Sequence, residues 1–135
     1  IDKTVKLPRM YWTGDTAVDL FSPNKCVVLP NSSIILNTKQ QIKILDRYRG
    51  VLKTRSSIGF LGVFVFEGLI DSNYTSELKI KIFNTSDEPF EITTSNAVAQ
   101  MTIEKYEELK IEEVDEFETT ARNELGFGSS NSENN

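Results

Sequence analysis

Apolar and polar positions alternate along most of this chain in short runs, broken by Gly, Pro, Asn and Ser. Leu78-Lys79-Ile80-Lys81-Ile82-Phe83 repeats with period two, the pattern of a half-buried strand. Phe90-Glu91-Ile92-Thr93 repeats it after the turn at Thr85-Ser86-Asp87-Glu88-Pro89. Further strands are predicted at Cys26 to Leu29, Ile34 to Thr38, Gln41 to Leu45, Arg49 to Thr54, Gly62 to Phe66 and Ala97 to Ile103. Gly68-Leu69-Ile70-Asp71-Ser72-Asn73-Tyr74 reads as a tight β-hairpin carrying a carboxylate and an aromatic ring on one short loop. Many short strands with regular turn signals predict an all-β antiparallel sandwich, barrel or jelly roll.

Helical signals are few. Ser56 to Leu61 predicts one short turn. Glu104 to Phe117 has Ile111, Val114 and Phe117 three apart, yet Leu109-Lys110-Ile111 alternates, and an extended connecting arm is expected. From Thr119 to Asn135 only Leu125 and Phe127 are large and apolar. That segment is expected to be a mobile tail, unable to bury enough surface to fold alone.

The 135 residues fit one domain, expected over 1–118, followed by an arm over 119–135. No apolar run nears the roughly 20 residues of a membrane helix. No secretion signal is evident, so an intracellular location, cytoplasmic or nuclear, is expected. The chain does not begin with Met, as a processed, trimmed or excised polypeptide would not. Its single cysteine, Cys26, excludes an intrachain disulfide and reads as a small hydrophobe.

Histidine is absent, which removes Ser-His and Cys-His nucleophiles and His-based metal sites. Protons would then be moved by carboxylates or metal-bound water. A net charge of -5 disfavours a generic nucleic-acid binder. A polyanion could still be held where arginines, backbone amides and Mg²⁺ gather.

Several side chains suit such a ligand. Arg55-Ser56-Ser57 places a guanidinium beside two hydroxyls, a donor set for phosphate oxygens, though such a triplet is more often a surface turn. Asp71 falls at a strand end where a hairpin could hold it rigidly, or is a turn residue bonding nearby amides. Tyr74 could pack on a sugar or base, or cover the core edge. Asp19 interrupts an apolar stretch and could hold metal-bound water, or be a turn residue. Gln100 breaks the run from Ala97 to Ile103 and needs polar partners. Arg122 and Phe127 add a cation and a ring near the end of the chain, where Gly-Phe-Gly-Ser-Ser combines close backbone approach with donors.

In this order the pieces resemble the five motifs of the trimeric dUTPases, from Thr16 to Ser130. Thr16-Ala17-Val18-Asp19-Leu20 is similar to the first, with Ala17 where Gly is usual. Arg55-Ser56-Ser57 matches the second. Gly68 through Glu77 matches the third, with Ser76 for Gly. Ala99-Gln100-Met101 matches the fourth. Arg122 through Ser130 matches the fifth, with Asn123 for Gly and Asn131 for the last Gly.

The resemblance implies a jelly-roll-like β-barrel and a homotrimer with active sites shared among subunits. It implies hydrolysis of dUTP to dUMP and pyrophosphate, which limits uracil incorporation into DNA and supplies dUMP for dTMP synthesis. Asp71 would activate the water that attacks the α-phosphorus. The backbone from about Val65 to Leu69 would read uracil, with Gly68 and Ile70 among the substrate-binding residues, and Tyr74 would pack on deoxyribose. Arg55, Ser56, Ser57 and Gln100 would hold phosphate oxygens. Asp19 would bind Mg²⁺ through water. Phe127 would stack over uracil while Arg122, Gly128, Ser129 and Ser130 grip the γ-phosphate. No stable nucleic-acid binding and no membrane association are implied. Two other classes compete: an enzyme of the dCTP deaminase branch, and a catalytically weak homologue acting as a nucleotide-dependent regulator. A capsid or adhesion module is more remote.

Overall fold

The computed structural model describes residues 5–119, which form nine strands and one short helix. The strands are β1 (Ala17–Phe21), β2 (Cys26–Val28), β3 (Ser32–Asn37), β4 (Tyr48–Lys53), β5 (Val63–Val65), β6 (Gly68–Ile70), β7 (Lys79–Asn84), β8 (Phe90–Ile92) and β9 (Ala97–Lys105). Helix α1 (Ser56–Gly59) is the predicted single turn. The all-β architecture is as expected. Its strands form three antiparallel sheets, β1-β9-β4-β6, β3-β7-β5 and the ribbon β2-β8, and do not close into one continuous barrel. They enclose one core in the manner of a jelly roll.

Alternation decides which side chains enter that core. On β7, Ile80, Ile82 and Asn84 point inward while Lys79 and Lys81 face water. Leu20, Val28, Leu52, Val63, Ile92, Val98 and Met101 are among the other members of the cluster, each large side chain contributing about 1.5–3 kcal/mol. The buried polar Asn84 is fully engaged. Its Nδ2 donates to the carbonyls of Val28 (3.0 Å) and Glu88 (2.7 Å), and its Oδ1 accepts from the backbone N–H (3.0 Å) and hydroxyl (2.7 Å) of Ser86. Burial also pushes the Cys26 thiol pKa up, in keeping with its packing against the core.

Three expectations need correction. Ala17–Phe21 is a strand, so Asp19 is a strand residue and not a turn residue. Gln41 to Leu45 is not a strand. Ile44 is buried and its neighbours Lys43 and Leu45 are exposed, so the alternation is real. However, the left-handed residues Lys39 (φ 55°) and Arg47 (φ 65°) turn the chain on either side, and no strand pairs with the segment. Alternation reports side-chain burial, not a ladder. Ile44 instead packs over Gly50, where an added Cβ would lie 3.0 Å from Ile44 Cδ1 and 2.8 Å from Met101 Sδ.

The third correction concerns the hairpin. Its stem is β5 paired with β7, and Gly68–Ile70 leaves that sheet to pair with β4. The strand path bends at Phe66-Glu67 and so crosses from one sheet to the other. After Lys105 the chain to 119 is neither helix nor strand, as expected for a connecting arm, and Leu109, Ile111 and Phe117 are exposed. The expected arm over 119–135 lies outside the described residues save for its first residue.

Candidate active site

Strand β9 lies between β1 and β4 and sets Asp19 opposite Gln100, and Gln100 opposite Lys53. Directly opposed residues share a sheet face, so these three form one polar row. The backbone of Asp19 is held on its other side as well, by paired hydrogen bonds with Arg9 (3.2 and 2.8 Å). Asp19 is 7% exposed, and Oδ1 accepts from Arg55 Nε at 2.8 Å. Arg55 Nη1 donates to the Ser57 hydroxyl (3.2 Å) and the Ala97 carbonyl (3.5 Å), while Nη2 makes none of these bonds. Gln100 Nε2 donates to the carbonyl of Thr54 (3.0 Å), which fixes the strand end just before Arg55.

Arg55 lies two residues past β4 in an extended conformation (φ -78°, ψ 142°), just before Ser56 opens α1. Its carbonyl accepts from Ile58 and Gly59, so the turn that displays Ser56 and Ser57 is tied back to the arginine. Both serines are exposed. Asp19, Arg55 and Gln100 share a cavity of about 420 Å³ with Tyr11, Trp12, Asp15, Thr16 and Ala17. A cation, a carboxylate and an amide converging there suit a phosphate-bearing ligand.

Asp71 and Tyr74 stand elsewhere. Ile70 pairs with Gly50 and Gly68 with Leu52, so Asp71 follows the end of the sheet opposite to Arg55. Six residues of extended chain separate these levels, roughly 20 Å. The Asp71 carboxylate is exposed and makes no hydrogen bond or ion pair among the described residues. Its carbonyl accepts from Tyr74 N at 3.0 Å, closing a turn, and the Tyr74 hydroxyl donates to the Glu77 carbonyl at 2.7 Å. Strand β6 is the sheet edge, so one side of Gly68–Ile70 presents backbone donors and acceptors that β4 does not use. One copy of the chain thus brings Asp19, Arg55, Ser57 and Gln100 together, and does not bring Asp71 or Tyr74 to them.

The dUTPase family profile matches residues 3–131 of the chain. The chain belongs to the dUTPase family. It is 33% identical to the deoxyuridine 5'-triphosphate nucleotidohydrolase of Orientia tsutsugamushi strain Ikeda, covering 94% of this chain and 89% of that protein. The protein of that name from Alkaliphilus metalliredigens is 33% identical, covering 96% of this chain and 92% of that one. The fold matches the dUTPase of Staphylococcus bacteriophage 80alpha, solved with dUPNHPP, at a TM-score of 0.86 and 24% identity over 95% of this chain and 93% of that one. A mutant dUTPase from phage phi11 of S. aureus, solved with a structural Mg(II) ion, gives 0.80 and 21% identity over 87% and 95%. Membership places the protein among the hydrolases of nucleotide metabolism that act on a nucleoside triphosphate.

Two departures from the dUTPase motifs are tolerated by the backbone. Among the described residues, positive φ at non-glycine positions occurs at Asn31, Lys39 and Arg47, so neither Ala17 nor Ser76 occupies a conformation that needs glycine. Asn123 and Asn131 lie outside the described residues, with Arg122, Phe127, Gly128, Ser129 and Ser130. Sequence reasoning missed Tyr11, Trp12 and Asp15, which line the cavity beside Asp19. The signal was an aromatic pair beside Gly14-Asp15, a turn just before the first dUTPase motif.

Proposed function

We propose that the protein hydrolyses dUTP to dUMP and pyrophosphate in sites built from three copies of the chain. Convergence of Asp19, Arg55 and Gln100 on one cavity, in a chain of this family, carries the reading. Arg55, Ser56, Ser57 and Gln100 hold phosphate oxygens, both serines being exposed beside the guanidinium. The backbone from about Val65 to Leu69, running onto the edge strand β6, reads uracil, where a close fit leaves no room for a 5-methyl group and leaves groups unpaired with cytosine. Tyr74 packs on deoxyribose and excludes a 2′-hydroxyl. Asp71, with a carboxylate free of partners, orients the attacking water and accepts its proton.

The site chemistry fits Mg²⁺ held through water. Arg55 occupies Oδ1 of Asp19 and leaves Oδ2 as an acceptor for metal-bound water. Among the described residues no group of three or more His, Cys, Asp or Glu could hold a metal directly. The substrate phosphates would carry the cation, as Mg²⁺ keeps several waters. When bound, the ion neutralises charge on the triphosphate. Arg122, Phe127 and Gly128 to Ser130, in the expected arm over 119–135, close the site as a lid that excludes water.

The separation of Asp71 from Arg55 supports a site shared between copies, and the resemblance to the trimeric dUTPases supplies the number three. If both serve one reaction, different copies must supply them. Among the described residues no helix is long and apolar enough to cross a membrane. The sequence reading adds that the enzyme works inside the cell, limiting uracil incorporation into DNA and supplying dUMP, without stable nucleic-acid binding.

The test is incubation of the purified chain with Mg²⁺ and, separately, dUTP, dCTP, dTTP and UTP. Conversion of dUTP alone to dUMP and pyrophosphate is expected. Ammonia from dCTP would move the protein to the deaminase branch. Binding of dUTP with no turnover of any substrate would identify a regulatory homologue.

A further inference from the structure

Trp12 is the chain's one tryptophan, and 78% of it is exposed on the wall of the cavity that Asp19, Arg55 and Gln100 line. It has no place in the hydrophobic core. The turn that carries it is nonetheless built firmly. Asp15 Oδ2 accepts from the backbone N–H groups of Tyr11 (3.0 Å) and Trp12 (2.9 Å), and Asp15 N donates to the Trp12 carbonyl (3.2 Å). The Arg9 guanidinium lies 4.0 Å from the centre of the Tyr11 ring, and the Arg9 backbone is bonded to Asp19. Gly14 supplies the left-handed residue the turn needs (φ 97°). Backbone bonds therefore tie the position of the indole to that of Asp19.

The chemistry of the ring selects its ligand. An indole N–H is a donor with no acceptor, and that of Trp12 makes no hydrogen bond among the described residues. Waters on a cation donate outward and need acceptors, a role that suits Asp19 and not Trp12. Phosphate oxygens need donors, and Arg55 stands in the same cavity. We propose that Trp12 binds the polyphosphate end of the nucleotide, its Nε1–H donating to a phosphate oxygen, with Asp15 as its positioning residue. This role rests on the triphosphate hydrolysis proposed above and adds a contact outside the five dUTPase motifs.

A lone tryptophan makes the test direct, because all indole emission comes from the site. The full chain is titrated, with Mg²⁺, with the non-hydrolysable α,β-imido analogue of dUTP, with dUMP and with inorganic tripolyphosphate. Emission should change with the analogue and with tripolyphosphate, and little with dUMP. Trp12→Phe keeps a ring and removes the donor; its KM for dUTP should rise roughly tenfold, the worth of a hydrogen bond to a charged group, with a smaller change in kcat. Asp15→Asn should shift the emission of the free protein and raise KM in the same direction. Analogue binding seen by calorimetry without any change in emission would overturn the role, as would a Trp12→Phe enzyme with unchanged KM. Emission shielded from acrylamide before any ligand is added would instead make Trp12 a contact between copies. Should the wild type turn over no nucleotide yet still respond to tripolyphosphate, the contact stands and the hydrolase reading fails.

Discussion

Asp19 and Arg55 are 36 residues apart in the chain and joined by a 2.8 Å bond from Nε to Oδ1. With side chains 10% and 29% exposed, the pair is mostly shielded from solvent. It fixes the guanidinium through Nε, while Nη1 donates to Ser57 and Ala97. Asp19→Asn keeps the shape and loses the charge. We expect a folded protein whose kcat/KM for dUTP falls about 10- to 100-fold, the usual effect of losing an outer partner of a bound ion. Steady-state kinetics across a Mg²⁺ titration checks it; an unaltered Mg²⁺ dependence would remove Asp19 from the metal role.

Asp71→Asn should bind the α,β-imido analogue of dUTP about as well as the wild type while kcat drops by about 10²- to 10⁴-fold, the range for losing a general base. Calorimetry and single-turnover rates separate the two effects. An unchanged kcat would exclude Asp71 as the base.

Deleting residues 119–135 should leave the β core folded, because the core cluster described is built from Leu20 to Met101. Turnover should nearly vanish. Circular dichroism, sedimentation and pyrophosphate release together test this, and full activity in the truncated chain would refute the lid.

Asn84→Ala removes a side chain that is 1% exposed and makes four hydrogen bonds to three residues. The carbonyls of Val28 and Glu88 lose their amide donor, and a stability loss of about 2–4 kcal/mol is expected. Urea unfolding measures it.

Glu104 has its pKa lowered, first by the hydrogen bond from the Thr102 hydroxyl and then by Arg49 and Lys53, against desolvation that raises it. A depressed folded pKa means stability that is present above the ordinary value of 4.5 and lost as pH falls through the lower folded value. Thr102→Val should therefore raise the Glu104 titration midpoint in NMR and move the acid limb of the stability curve to higher pH. No movement of either would show that the hydroxyl does not act on Glu104.

Much of this was legible in the sequence, because β7 and β8 alternate cleanly and the dUTPase motifs are quoted almost whole. The ladder was not. Gln41 to Leu45 alternates as well as β7 does, and only the left-handed turns at Lys39 and Arg47 take it out of register with a neighbour. The division of the site was equally hidden. Asp71 is 16 residues from Arg55 in the chain, and the pairing of Ile70 with Gly50 sends them to opposite ends of one sheet. Trp12 was hidden for another reason: an exposed aromatic pair beside a turn follows no strand periodicity and precedes the first motif at Thr16.

The distance that β4 puts between Arg55 and Asp71 has a genetic meaning. Where sites are shared between copies, Arg55→Ala and Asp71→Asn damage different halves of each site. Each variant alone should be inactive. Co-expressed, they should assemble sites that take an intact arginine from one parent and an intact aspartate from the other, so two null alleles should complement within one cell.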